Sequence, residues 1–207
     1  EAGGLNLTIA MRRSLLKGVI PEGFPLSPDL LPKVAPPIEA VLVDLCDKIA
    51  YICHDLDDGI RAELLSVQDV KTLALWQRAE SRAGTDQMSR IHSEMVAIMV
   101  HDLIESSVIP YGPNADQTAR PVIQHSGPIL VESQELLAFL RERFYRSNRI
   151  LADMDIGREK IRFHFQDLVS NPDKIPDTMR RRTGSCSTRR LVCDYLAGMT
   201  DRFLMSQ

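Results

Sequence analysis

Apolar and polar positions follow a helical period along most of this chain. The longest such pattern runs through residues 36–61, PPIEAVLVDLCDKIAYICHDLDDGIR, where two stripes share one predicted helix. Ile38, Val41, Leu42, Leu45, Ile49, Ile52 and Leu56 recur at three- and four-residue intervals, which predicts a buried face. Asp44, Asp47, Lys48, Tyr51, Asp55 and Asp58 recur at the same interval on another side, gathering carboxylates, one ammonium and one phenol. Pro36 and Pro37 suit the helix's first turn. Gly59 predicts fraying or a restart after Asp58, because Gly inside a helix costs about 1 kcal/mol relative to Ala.

Further helices are predicted at 5–17 (capped by Asn6 or Thr8), 67–76, 85–108, 133–151, 156–169 and from Ser187 onward, where Leu191, Tyr195, Met199 and Phe203 should face inward. Residues 19–37 form a proline-rich connection, and 111–128 and 171–186 read as loops, with a short strand possible around 121–123. The expected fold is all-α, a helical bundle. Its expected division is into 1–110, which carries the two-striped helix, and 111–207, a helical C-terminal region.

Composition narrows the function classes. The chain has 207 residues, 44% of them hydrophobic, enough for a packed core. A net charge of −3 gives no footprint for duplex DNA, so any anion site must be local. No apolar run reaches the roughly 20 residues that span a bilayer. The four cysteines, at 46, 53, 186 and 193, have no zinc-site spacing and read as reduced thiols, which with the membrane reading points to the cytoplasm. Five arginines, Arg180, Arg181, Arg182, Arg189 and Arg190, cluster before and within the last helix. They read either as a solvated loop or as an anion site for a regulatory nucleotide or nucleic acid.

The acidic stripe by itself leaves two readings open, a solvated face and a cation-binding face. The run DKIAYICHDLDDGIRAELL at 47–65, with GLNLT at 4–8 and CDYLAGMTDRF at 193–203, resembles the deoxyguanosinetriphosphate triphosphohydrolase-like branch of the HD superfamily, its motifs standing in the family's order. That resemblance implies an HD-type helical fold. It also implies a divalent-metal-dependent hydrolase, using Mg²⁺, Mn²⁺ or a similar ion, that cleaves a dNTP to deoxynucleoside and triphosphate by attack of metal-associated water at the α-phosphorus. By the match, Asp47 is the family's distant metal-ligating carboxylate, Lys48 a phosphate contact, Tyr51 a surface for deoxyribose and Asp55 an acceptor for the 3′-hydroxyl. A homo-oligomer is a further expectation.

The family's His and His-Asp ligands belong to a run like HDLGHPPFGHxGE, which this sequence does not contain. His54-Asp55 and His101-Asp102 spell the same dipeptide without that context, and His54 reads as structural, His101-Asp102 as a polar edge. His92, His125 and His164 receive no role. The chain is therefore expected to be the C-terminal portion of such an enzyme, inactive by itself. The competing reading is a non-catalytic helical module for nucleotide, nucleic-acid or subunit binding.

Overall fold

The computed structural model describes residues 5–16, 26–30, 36–110, 121–182 and 186–206. Most of the proline-rich connection, part of the 111–128 loop and the Arg182 side chain lie outside the described residues. As expected, the protein is all-α: no strand forms among the described residues, and one isolated antiparallel bridge joins Val108 to Val122. Two compact units emerge, Leu7–Arg146 on the one hand and Glu1–Asn6 with Ser147–Gln207 on the other. The expected division lay earlier, in the turn-rich stretch after residue 110.

In the first unit, α1 (Ile9–Ser14) starts at Thr8, whose hydroxyl accepts from the Met11 amide at 3.2 Å. The central helix α2 (Ile38–Arg61) is followed by α3 (Val67–Val70), α4 (Ala74–Ala83), α5 (Met88–Ser106) and α6 (Gly127–Phe139). The core joins Ile49, Ile52, Cys53 and Leu56 of α2 to Trp76 of α4, Met95 and Met99 of α5 and Leu136 of α6. Only the second half of α2's apolar stripe is buried there. Ile38, Val41 and Leu45 are half-exposed and Leu42 is exposed, so the expectation of a buried face along the whole helix is corrected.

Gly59 corrects a second expectation. The helix runs through it unbroken because the site needs a side chain of no size: a Cβ would stand 2.6 Å from Leu65 Cδ1 and 3.3 Å from Phe144 Cδ2. The chain then turns back at Glu63, which takes a left-handed conformation (φ 56°), and the Gly59 carbonyl accepts from the amides of both Leu64 and Leu65.

Two helix starts in this unit, those of α4 and α6, are capped from distant sequence. The Glu135 carboxylate of α6 accepts from the Ala74 amide at 3.1 Å, where α4 has no side-chain cap of its own. Asp102 of α5 accepts from the Ser126 amide at 3.0 Å and from His125 at 2.9 Å, which seats the start of α6. Asp102 is thus a tertiary cap rather than the polar edge its position suggested, and His125 has a partner. Burial by itself raises the Asp102 pKa, but the hydrogen bonds from Ser126 and His125 outweigh it and hold the carboxyl below its ordinary value.

The predicted helix over 133–151 does not form as one piece. After α6 a π-helical turn, Leu140–Phe144, widens the backbone, and Ser147 caps a new helix, α7 (Asn148–Ser170). The 171–186 stretch is also not all loop, since α8 (Asp177–Arg182) occupies part of it. In the second unit Leu168 of α7, Ile175, and Leu191 and Val192 of α9 (Thr188–Ala197) make a small core. The Ser187 hydroxyl caps α9 through the Arg190 amide, as predicted. Gly198 ends α9, with a separate α10 (Asp201–Ser206) beyond it. Phe203, expected inside, is exposed.

Candidate functional site

The sequence-predicted stripe lies along α2, open to solvent at some positions and packed against the core at Tyr51. Asp47 and Lys48 are exposed, and Tyr51 and Asp55 are half-buried where α2 meets the rest of its unit. With a rise of about 1.5 Å per residue, Asp47 and Asp55 stand about 12 Å apart along the axis. Lys48 Nζ lies 3.0 Å from Asp44 one turn back. An exposed pair of this kind contributes about 0–1 kcal/mol, so the ammonium is held loosely.

Asp55 is fixed more firmly. The Tyr145 hydroxyl donates a short hydrogen bond to Asp55 Oδ2. Tyr145 follows the π-helical turn, which packs on α2. Burial pushes the Tyr145 phenol up, the hydrogen bond to Asp55 and the charge on it push further, and nearby Tyr51 adds to this while Arg141 opposes it. The phenol therefore stays protonated and serves as a donor through neutral and mildly alkaline pH. Asp55 Oδ1 has no partner among the described residues.

Sequence reading missed Tyr145 because it lies 90 residues from Asp55. A helical projection of 133–151 puts Tyr145 beside Phe144 and assigns it nothing; only the π turn directs its hydroxyl at α2.

A cation site does not assemble from this chain's described residues. No group of three or more His, Cys, Asp and Glu side chains gathers around Asp47 or anywhere else among them. One exposed carboxylate falls short of the three or so protein ligands a catalytic ion takes, so the residues present do not fit a resident metal by themselves. His54 is exposed, its ring 5.4 Å from that of His92, and neither joins Asp47 in a cluster.

Beside Asp47, α2 carries apolar surface. Leu42 and Cys46 face Val100 and Ile104 of α5, with Ile109 and Ile123, across an open groove of about 490 Å³, and Val43 and Ile104 are more than 60% exposed.

The arginine cluster is partly spent within the second unit. Arg180 pairs with Asp173 at 2.5 Å and with Asp177, and Arg190 pairs with Asp194 at 2.9 Å. Arg181 and Arg189 are exposed.

This all-α chain carries a phosphohydrolase-associated module: residues 123–207 match the HD_assoc family, the phosphohydrolase-associated domain. Over 99% of its length it is also similar to deoxyguanosinetriphosphate triphosphohydrolase-like protein 1 of Deinococcus radiodurans, at 31% identity. Similarity to the deoxyguanosinetriphosphate triphosphohydrolase-like proteins of Geobacter sulfurreducens (27% identity, 99% of the chain) and Bordetella pertussis (29%, 100% of the chain) is equally extended. The chain spans 57% of the first two relatives and 58% of the third, and corresponds to their C-terminal part. The family resemblance seen in the three motifs therefore holds along the whole chain.

Proposed function

We propose that this chain is the substrate-binding C-terminal portion of a metal-dependent dNTP triphosphohydrolase. The observation that carries the reading is that Asp47, Lys48, Tyr51 and Asp55 project from a helix whose second half is locked into the core, with Asp55 aimed by Tyr145. In this reading Lys48 leaves Asp44 for a phosphate oxygen, Tyr51 packs against the deoxyribose and Asp55 accepts from the 3′-hydroxyl. Asp47 supplies one carboxylate ligand to a divalent ion, and the remaining ligands come from the upstream portion that the relatives carry. The apolar groove beside Asp47 gives that portion a seat, since contiguous exposed apolar surface marks an interaction site. The chain is cytoplasmic in this reading, in keeping with its free thiols and with the absence of a membrane-crossing helix among the described residues, and it works as a homo-oligomer.

A chimera placing the upstream portion of the Deinococcus radiodurans relative ahead of this chain tests the reading. It should release triphosphate from dNTPs with Mn²⁺, and Asp47→Ala should remove bound metal and most activity while leaving the thermal transition in place. Tyr51→Ala should narrow the ratio of deoxy- to ribonucleotide turnover. Unchanged metal content in Asp47→Ala, measured by elemental analysis, refutes the placement of the ligand.

The second reading, a non-catalytic helical module that binds nucleotide, nucleic acid or a partner subunit, is favoured by one observation: Arg181 and Arg189 of the arginine cluster are exposed. Its anion site would use Arg181 and Arg189, since Arg180 and Arg190 are engaged by carboxylates.

A further inference from the structure

No residue of α7 between positions 148 and 163 is buried, and the core of the second unit begins only at Phe165. Met154 and Ile161 are 47% and 49% exposed. At about 100° per residue, Ile150, Met154, Gly157 and Ile161 fall within about 60° of one another, an apolar stripe with the spacing of paired helices. Its C-terminal end lines a cleft of about 330 Å³, where Ile161 and Phe165 are joined by Leu196 and Leu204. Contiguous apolar surface of this kind marks an interaction site.

Gly157, in the middle of the stripe, weakens the helix relative to Ala. The second unit does not need it for space, because a Cβ there would meet no described atom within 4 Å. Open space over a glycine lets the backbone of another helix come close.

The charges on α7 narrow the choice of partner. Asp155 and Glu159 are held within the helix by Arg158, at 2.7 Å, and Arg162, at 2.5 Å. Asp153 and Lys160 have no ion pair among the described residues. Seven residues apart, they lie within about 20° of each other on one flank of the stripe, and at about 10 Å along the axis they are too far apart to pair together. A partner must therefore bring an apolar stripe flanked by an ammonium level with Asp153 and a carboxylate level with Lys160.

A second α7 running antiparallel does this. A twofold axis sets the same flank of each helix together, and each contact is made twice. With the axis between Ile156 and Gly157, Asp153 of each copy stands level with Lys160 of the other and the two Gly157 residues lie close to the axis. Ile150 of each copy then falls between the levels of Ile161 and Phe165 of the other, where the cleft opens. A parallel pair would set Asp153 against Arg158, which Asp155 already holds, and Lys160 against Phe165.

We propose that residues 148–163 of α7 form the contact between two copies of this chain, an antiparallel helix pair with reciprocal Asp153–Lys160 ion pairs. This contact gives the homo-oligomer proposed above its surface; it rests on that part of the reading alone and not on the chemistry of α2.

Sedimentation velocity of the full chain tests the contact. It spans about 24 Å of helix, small for a stable interface, so the dimer should be populated at about 100 µM chain. Asp153→Lys and Lys160→Asp each set like charges against one another at both ends, and each should weaken the dimer at least about tenfold. Mixed in equal amounts, the two variants bring opposite charges back together at both ends and should dimerise with each other as the wild type does. The double variant should likewise dimerise with itself. If either single variant fails to fold by circular dichroism, Met154→Ser carries the test and should weaken the dimer severalfold. A chain that stays monomeric at that concentration overturns both the contact and the homo-oligomer. A dimer that the single reversals leave intact, or a mixture that fails to recover it, overturns the contact and leaves the homo-oligomer standing, while the metal content of the chimera reports on α2 independently.

Discussion

Replacing Tyr145 by Phe removes one hydroxyl and leaves the ring, so its effect isolates the hydrogen bond that aims Asp55. A bond to a charged acceptor contributes about 1.5–3 kcal/mol, and because both side chains are half-buried the lower end, about 1.5 kcal/mol, applies. Trp76 is the chain's single tryptophan, 1% exposed in the same compact unit, so its fluorescence reports the unfolding of that unit. With a urea slope of about 2 kcal/mol per molar, the midpoint should fall by about 0.7 M. Asp55→Asn should cost a similar amount, and the double variant little more than either single one, which gives a coupling energy of about 1 kcal/mol. A coupling below about 0.3 kcal/mol, the scatter expected for independent sites, refutes the claim that Tyr145 positions Asp55.

Three further outcomes follow from the same geometry. Gly59→Ala should destabilise the first unit by up to about 2 kcal/mol, because overpacking at Leu65 and Phe144 (about 1–3 kcal/mol) outweighs the helix-propensity gain of about 1 kcal/mol; urea unfolding followed at Trp76 checks this, and a variant at least as stable as the wild type refutes it. The Asp102 pKa is lower in the folded chain than in the unfolded one, so its contribution is complete above the unfolded value, about 3.9, and is lost as pH falls through the folded value. Asp102→Asn should therefore cost about 1–2 kcal/mol at neutral pH and progressively less in acid, read from urea midpoints at several pH values. The purified chain by itself should release no triphosphate from any dNTP with Mn²⁺, since no group of three or more metal-ligating side chains forms among its described residues; clear turnover by contaminant-free chain would refute that.

What the sequence determined by itself is local. The 3.6-residue period placed Asp47, Lys48, Tyr51 and Asp55 along one side of a helix, and Thr8 and Ser187 marked helix starts, because backbone geometry and capping act within a turn or two. The family motifs were legible for the same reason: they are contiguous, and the comparisons extend them across the chain.

Other features were decided only in three dimensions. Gly59 reads as a helix breaker until Leu65 and Phe144 are seen against it. The apolar stripe of α2 reads as uniformly buried, yet α5 and the elements around it cover only its second half. The π turn at Leu140–Phe144 has no periodic signature, and it directs Tyr145 onto Asp55, just as Asp102 and Glu135 cap helices that begin far from them in sequence. A helical period fixes which residues share a face. Which part of that face is covered, and which distant donor reaches a given carboxylate, depends on how separately formed helices pack, and contacts across 60 to 90 residues leave no trace in a local pattern.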